Sequence, residues 1–301
     1  MSADLATLLA QVRNIELRTE RLVSSLAAGS YRSAFKGSGL EFDEVRAYTD
    51  GDDARLIDWN VTARAGAPWV KVFREERELA VTLVVDASGS MNFGALPGSG
   101  RRAKRVLAAE AAAVVAVVAL RNHDRLALVR GAAAPDLHLP MRRGRGHCLR
   151  VVREVLAGSA TGPGDLAALL EGATRSSRRR GVLFLVSDFL HDERGHIAFA
   201  DVLARSARRH DVVGLRITDP AESSLPAHGP LVIDDPEGRG QVVLSASAAN
   251  RAAYAAAWQV ARARTTTAFR AAGCDLVELD TATGAFTALD RFLRQRRRKR
   301  A

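Results

Sequence analysis

The pattern of apolar and polar residues changes character twice along this chain of 301 residues. Between residues 5 and 26, leucine, valine and isoleucine recur at helical spacing among charged residues, which predicts an amphipathic helix. Residues 30–78 show no long periodic pattern and are rich in Gly, Asp, Arg and aromatic residues, with a short strand-like piece at 69–73. From residue 79 onward, apolar runs typical of buried strands alternate with helical patterns.

This regular part predicts a doubly wound α/β fold. The predicted strands are 79–85, 125–129, 182–186, 212–217 and 275–279, with an edge piece at 137–139 and a hairpin of 231–234 with 241–244. The predicted helices are 104–122, 147–156, 165–175, 197–209, 247–272 and 285–299. Near-continuous apolar strands alternating with helices indicate a mostly parallel sheet with helices on both faces. Ligands of such sheets bind beyond the carboxyl ends of the strands.

The same pattern divides the chain into three parts. Residues 1–78 are predicted to form an N-terminal helix and a Gly/Arg/Asp/Trp-rich segment packed on the core. Residues 79–290 form the α/β domain, and residues 291–301 form a basic C-terminal tail.

The Arg/Trp-rich segment allows two interpretations. Arg46, Arg55 and Arg64 alternate with acidic residues, so charge-assisted hydrogen bonds can attach the segment to the domain. Trp59 can anchor the segment by burial. Because Arg and Trp are also frequent at the centres of protein interfaces, these four residues can instead form a partner-binding surface.

The charge and cysteine content narrow the function classes. Of the net charge of +10, seven basic side chains lie in Arg291–Ala301, which leaves 10 − 7 = +3 for the other residues. No nucleic-acid reader motif accompanies this basic tail, which argues against a dedicated nucleic-acid role. The two isolated cysteines suggest a reducing compartment, and neither a bilayer-spanning run nor a signal peptide is recognisable. We therefore expect a cytoplasmic protein without a membrane partner.

Oxygen-bearing side chains follow two of the predicted strands. Asp86, Ser88 and Ser90 lie on a turn directly after the strand 79–85, and Asp188 follows the strand 182–186. An oxygen-only ligand set favours a hard cation, which predicts a site for Mg²⁺, with Mn²⁺ or Ca²⁺ as alternatives. The competing interpretation is that these residues only cap the helices that follow.

At this turn, Val84–Met91 resembles the metal-ion-dependent adhesion site of von Willebrand factor A domains. Stretches on both sides of this turn resemble the bacterial domain-of-unknown-function fifty-eight family. The stretches that carry this resemblance are Phe35–Phe42, Arg46–Tyr48, Gly51–Arg55, Ile57–Trp59, Ala63–Arg64 and Asp219–Glu222. The resemblance implies an A-domain protein that works with a MoxR-type AAA+ ATPase in assembling or activating an unknown client protein.

The resemblance also implies which residues hold the metal. Asp86, Ser88 and Ser90 match the family's first metal loop, and Asp188 matches the third. The second loop departs from the family pattern, because Gly164 stands where a threonine is expected. Thr161, Asp165 or a water molecule can take the place of that hydroxyl.

An enzymatic function has weaker support. His191, Asp192 and His196 lie close to Asp188 in sequence, but their spacing matches no zinc signature. We therefore predict a non-enzymatic module that binds a carboxylate of a partner protein through a divalent metal. The alternatives are a metal-independent scaffold with a vestigial metal site and, with less support, a metal-dependent hydrolase.

Overall fold

The computed structural model describes residues 40–75, 78–94, 103–158, 162–177, 179–190, 193–227, 229–235 and 240–300, together with Thr19. The predicted helix at 5–26 therefore lies outside the described residues, apart from Thr19. The chain is divided into two compact units, of which the smaller one is Lys36–Leu79. The predicted packing of residues 1–78 on the core remains a prediction.

The smaller unit contains two antiparallel strands and a short helix. Strand β1 (Leu40–Ala47) pairs with β2 (Trp69–Glu75), and helix α1 (Trp59–Ala65) lies between them in sequence. Asp58 caps α1, since its carboxylate accepts hydrogen bonds from the first free backbone N–H groups of the helix. The helix ends at Gly66, whose φ of 71° favours glycine.

The larger unit is built on a six-stranded sheet with the order β10-β7-β6-β3-β4-β5. All neighbouring strands are parallel except β4 and β5, which are antiparallel. The strands are β3 (Ala80–Asp86), β4 (Arg125–Gly131), β5 (Pro135–Arg142), β6 (Val182–Ser187), β7 (Asp211–Thr218) and β10 (Asp275–Asp280). The doubly wound, mostly parallel sheet predicted from the sequence is confirmed.

Helices cover the sheet, which explains why its central strands are apolar along their whole length. Helices α2 (Lys104–Arg121), α3 (Arg145–Ala157) and α7 (Phe286–Arg300) form one group of contacts, in which α2 touches both others. Helices α4 (Leu166–Ser176), α5 (Glu193–Arg209) and α6 (Ala248–Ala271) form the second. Strands β8 (Pro230–Asp234) and β9 (Gln241–Ser245) form the predicted hairpin. No helix in the described ranges is long and apolar enough to cross a membrane.

The second helical group packs on the sheet through three aromatic rings. Phe189 follows β6, Phe199 lies on α5 and Phe269 lies on α6, and all three side chains are buried. The ring centroids of Phe189 and Phe269 are 5.3 Å apart in an edge-to-face arrangement. This cluster supports the backbone immediately after Asp188.

Part of the basic C-terminal tail lies inside the fold. The tail continues helix α7, and Arg296 is only 7% exposed. Its guanidinium pairs with Asp211 and with Asp275, the latter at 2.8 Å. The basic C-terminal tail is therefore not solvated at Arg296.

The sheet order places a crevice next to β3. From β3 the chain continues to β4 on one side, whereas β6, β7 and β10 lie on the other side. In doubly wound sheets, the carboxyl ends of the strands at this reversal form the usual ligand site. Here those ends belong to β3 and β6, which finish at Asp86 and Ser187.

Candidate functional site

The carboxylate of Asp86 is fixed at the end of β3. Its Oδ1 accepts the backbone N–H of Ser88 at 2.8 Å, and its Oδ2 accepts the hydroxyl of Ser187 at 2.7 Å. The loop after it is held by backbone hydrogen bonds from Ala87 to Gly131 and from Gly89 to Gly162. One hydrogen bond to each oxygen therefore fixes the orientation of this buried carboxylate.

The two serines of the loop face one another. The Oγ atoms of Ser88 and Ser90 are 3.1 Å apart. Ser88 precedes a short 3₁₀ helix, Gly89–Asn92, but its side chain makes no capping hydrogen bond to that helix. The helix-cap interpretation therefore does not account for the Ser88 hydroxyl.

Asp188 comes to the same place from β6. Its Oδ1 accepts the backbone N–H of Leu190 at 3.1 Å, and the side chain is almost completely buried. The next residue, Phe189, has a φ of 57°, a rare conformation for a bulky side chain. Its N–H donates to Ser187 Oγ at 2.9 Å, so Ser187 joins the two loops.

A buried lysine, not expected from the sequence, completes the cluster. Lys104 is the first residue of α2 and is 0% exposed. Its ammonium donates to Asp188 Oδ2 at 2.7 Å and also pairs with Glu222. Glu222 lies in a turn after β7 that is closed by a capping box with Asp219. The only sequence signal for Lys104 is a cation at the start of a helix, where the helix dipole disfavours it.

The pKa values of Asp86 and Asp188 are shifted in opposite directions. Burial, and then the negative charge of Asp188, raise the pKa of Asp86 to about 6, against the lowering effect of hydrogen bonds from Ser187 and Ser88. Burial also acts to raise the pKa of Asp188, but the charge and hydrogen bond of Lys104 outweigh it and lower that pKa. The cluster thus combines one ammonium, that of Lys104, with the carboxylates of Asp86, Asp188 and Glu222.

The second predicted loop reaches the site through glycine. A Cβ atom added to Gly164 would lie 3.0 Å from Ser88 Cβ, 3.3 Å from Ser88 Oγ and 3.6 Å from Asp86 Oδ1. A side chain at position 164 would therefore point into the cluster. Asp165 is used otherwise, because its carboxylate caps α4 by accepting the N–H of Ala168 at 2.9 Å. Thr161 lies outside the described residues.

The predicted partner-binding residues all lie on the smaller unit. Arg46 makes a two-pronged ion pair with Asp52 at 2.6 and 2.7 Å, and this arginine holds the pKa of Asp52 well below its usual range. Arg55 and Arg64 are exposed. Trp59 is 70% exposed, so it is not buried within the smaller unit. An exposed tryptophan is instead available for contact with another molecule.

Of the residues suggested for a hydrolase, only Asp188 and His196 lie in the part of the chain that the structure describes. Within the ranges that the structure describes, no group of three or more His, Cys, Asp or Glu side chains is placed to hold a metal ion. His191 and Asp192 lie outside those ranges. His196 lies on α5, where burial and the charge of Arg264 lower its pKa. The candidate cluster itself contributes two carboxylates and two hydroxyls to the predicted set.

The sheet order and the helices around the sheet make the larger unit a mostly parallel α/β domain. A family model described as "Protein of unknown function DUF58" matches residues 44–264. The chain belongs to this family, and the family resemblance predicted from the sequence motifs is confirmed.

The chain is also similar to relatives and to solved structures. The chain is 33% identical to the uncharacterized protein Rv1480 of Mycobacterium tuberculosis over 294 residues, which cover 97% of this chain and 90% of the relative. It is similar to the crystal structure of BatB from Bacteroides thetaiotaomicron, with 15% identity, a TM-score of 0.44, and coverage of 73% of this chain and 97% of that one. It is also similar to a von Willebrand factor type A structure from Catenulispora acidiphila, with 16% identity, a TM-score of 0.36, and coverage of 61% and 42%.

Proposed function

We propose that this protein is a non-enzymatic binding module that uses a divalent cation to hold a carboxylate of a partner protein. The observation that carries the proposal is the convergence of Asp86, Ser88, Ser90 and Asp188 at the carboxyl ends of two neighbouring strands. These side chains come from two loops that are far apart in sequence and make direct contacts within one buried cluster.

The donor set fits a hard cation. Mg²⁺ keeps several waters and is commonly bound through one or two protein carboxylates, which is what this cluster offers. Burial and the charge of Asp188 raise the pKa of Asp86, and a divalent ion would relieve the cost of that buried negative charge. Mn²⁺ and Ca²⁺ share the preference for oxygen ligands. Bound there, the cation would supply the positive charge that attracts a partner's carboxylate.

We further propose that the module acts as an adaptor or assembly factor with a MoxR-type AAA+ ATPase in the cytoplasm. This part of the proposal rests on the family resemblance, with Arg55, Arg64 and Trp59 as candidate contacts on the smaller unit. Arg46 belongs to the same candidate surface, although its guanidinium already pairs with Asp52.

A metal-independent scaffold is the second candidate, and three observations favour it. Lys104 already supplies a positive charge to Asp188, and Gly164 lacks the hydroxyl that the family pattern has at this position. In addition, Arg105 and Arg130 line a small cavity beside Asp86. In this case the partner would bind through the Arg/Trp surface alone.

Capture of a purified MoxR-type AAA+ ATPase from the same bacterium separates the two candidates. The proposal predicts that EDTA abolishes capture, that added Mg²⁺ restores it, and that Asp86→Ala captures nothing in either condition. Capture that persists in EDTA and in Asp86→Ala, but is lost in Trp59→Ala, would establish the scaffold. Val243→Ala, which alters a side chain exposed to the same 70%, serves as the surface control.

A further inference from the structure

We infer that Lys104 is a positioning residue that sets the cation affinity of the site by competing for Asp188. The inference rests on the proposed metal-dependent function and assigns a role to a residue outside the predicted ligand set. It is drawn from the contacts of the lysine ammonium, which link the Asp188 loop to the turn that carries Glu222.

The burial of Lys104 at the start of a helix is energetically unfavourable for two reasons. A lysine buried completely pays a large desolvation penalty, and the start of a helix is the end where the dipole repels a cation. The carboxylates of Asp188 and Glu222 offset that cost through direct ion pairs with the ammonium. Its backbone N–H also donates to the carbonyl of Phe93 at 2.9 Å, which fixes the start of α2.

Both oxygens of Asp188 are already occupied by donors. Oδ2 accepts the Lys104 ammonium and Oδ1 accepts the Leu190 N–H. A cation near Asp188 is therefore repelled by the ammonium and must share a carboxylate whose charge is partly neutralised. The lysine thus weakens cation binding while it allows the two carboxylates to remain buried in the metal-free protein.

Glu222 determines how strongly Lys104 competes. It shares the ammonium with Asp188 and is largely buried, with a side chain only 11% exposed. In a Glu222→Gln variant, the Lys104 ammonium would have Asp188 as its remaining carboxylate partner in this cluster. Replacing the lysine and replacing the glutamate should therefore change the cation affinity in opposite directions.

The test is calorimetric titration of Mn²⁺ into the full chain and three variants, with thermal unfolding of the metal-free proteins measured in parallel. Lys104→Met keeps the apolar stem and removes the charge, and we expect it to tighten Mn²⁺ binding about tenfold or more. Lys104→Arg keeps the charge, and its affinity should stay within about threefold of the wild type. Glu222→Gln should weaken Mn²⁺ binding several-fold.

The thermal data add a readout that distinguishes competition from a merely structural salt bridge. Metal-free Lys104→Met should unfold at a lower temperature than the wild type, and saturating Mn²⁺ should raise its midpoint more than it raises that of the wild type. Should Lys104→Met be too unstable to purify, Glu222→Gln still decides the matter.

Two results would overturn the inference in distinguishable ways. Wild-type binding of Mn²⁺ with unchanged or weaker binding in Lys104→Met, or with unchanged or tighter binding in Glu222→Gln, would refute the competition and leave the proposed function intact. An absence of Mn²⁺ binding in the wild type and in Lys104→Met alike would refute both the inference and the proposed metal dependence.

Discussion

At the scale of single residues, Gly164 decides how many protein oxygens the site can offer. Its position next to Ser88 and Asp86 is the position from which a threonine hydroxyl would join the cluster. No side chain is present there, and Asp165 is committed to capping α4. Among the described residues, the cluster therefore lacks the hydroxyl that the family resemblance implies at this position.

Restoring that hydroxyl should strengthen cation binding. Gly164→Thr requires a shift of a few tenths of an ångström at Ser88, since the new Cβ would lie 3.0 Å from Ser88 Cβ. We expect a gain in Mn²⁺ affinity of about tenfold, comparable to the effect of one supporting ligand. Calorimetric titration measures it, with Gly164→Ala as the control that adds the Cβ without the hydroxyl. Equal affinities for the Thr and Ala variants would show that position 164 contributes no ligand.

The residues of the predicted ligand set could be found from the sequence, because each follows an apolar strand whose end is easy to recognise. Asp86 and Asp188 were placed at two strand ends, and the parallel sheet brings those ends together. Lys104 could not be found in this way. Its partner Asp188 lies 84 residues further along the chain, and nothing in the local pattern indicates that a lysine at a helix start is buried.

At the scale of elements, the packing of α6 on β7 depends on a missing side chain. A Cβ atom on Gly214 would lie 2.5 Å from Phe269 Cζ and 2.7 Å from Leu276 Cδ1. Gly214→Ala should therefore lower the free energy of unfolding by about 1–3 kcal/mol through overpacking. Urea unfolding measures this change. Gly146→Ala on α3, where no atom lies within 4 Å, should change it by less than about 1 kcal/mol.

If Gly214→Ala and Gly146→Ala shifted the urea midpoint equally, the close approach of α6 to the sheet would be contradicted.

The junction of α5 and β7 should make stability depend on pH. His210 is 2% exposed, and neither ring nitrogen has a hydrogen-bond partner among the described residues. Burial, followed by the charges of Arg209 and Arg180, lowers its pKa below 6.5. The unfolded chain therefore binds the proton more readily, so stability is fully present above about pH 6.5 and is lost as the pH falls through the folded-state pKa.

Urea unfolding of the wild type and of His210→Leu at pH 7.5 and at pH 5.5 isolates this contribution, because the raised pKa of Asp86 acts in the opposite direction equally in both proteins. The change in stability between the two pH values should be less favourable to the wild type than to His210→Leu. His138→Leu changes an exposed histidine and should leave the pH dependence as in the wild type. Identical pH dependence in wild type and His210→Leu would mean that the ring of His210 is not buried in its neutral form.

The sequence predicted the elements of the larger unit to within a few residues because its strands are buried on both faces. It missed β1, in which half of the residues 40–47 are charged and whose pairing with β2 is formed across more than twenty intervening residues. It also does not indicate which of the terminal arginines is buried. Arg296 is buried because α7 presents it to Asp211 and Asp275, which lie on β7 and β10.

At the scale of the whole molecule, two candidate binding regions lie on separate units. The cation cluster belongs to the larger unit, and the exposed Trp59 with its neighbouring arginines belongs to the smaller one. An adaptor that holds an ATPase and a client protein needs two such surfaces. The capture experiment with and without EDTA therefore also reports which unit recognises the ATPase.

The central claim is that Asp86, Ser88, Ser90 and Asp188 bind a divalent cation. Calorimetric titration of Mg²⁺ or Mn²⁺ into the wild type and into Asp86→Ala tests it most directly, with circular dichroism to establish that both proteins are folded. The account predicts saturable heat for the wild type with one cation per chain, and none for Asp86→Ala. Equal and negligible heats for the two folded proteins would contradict it.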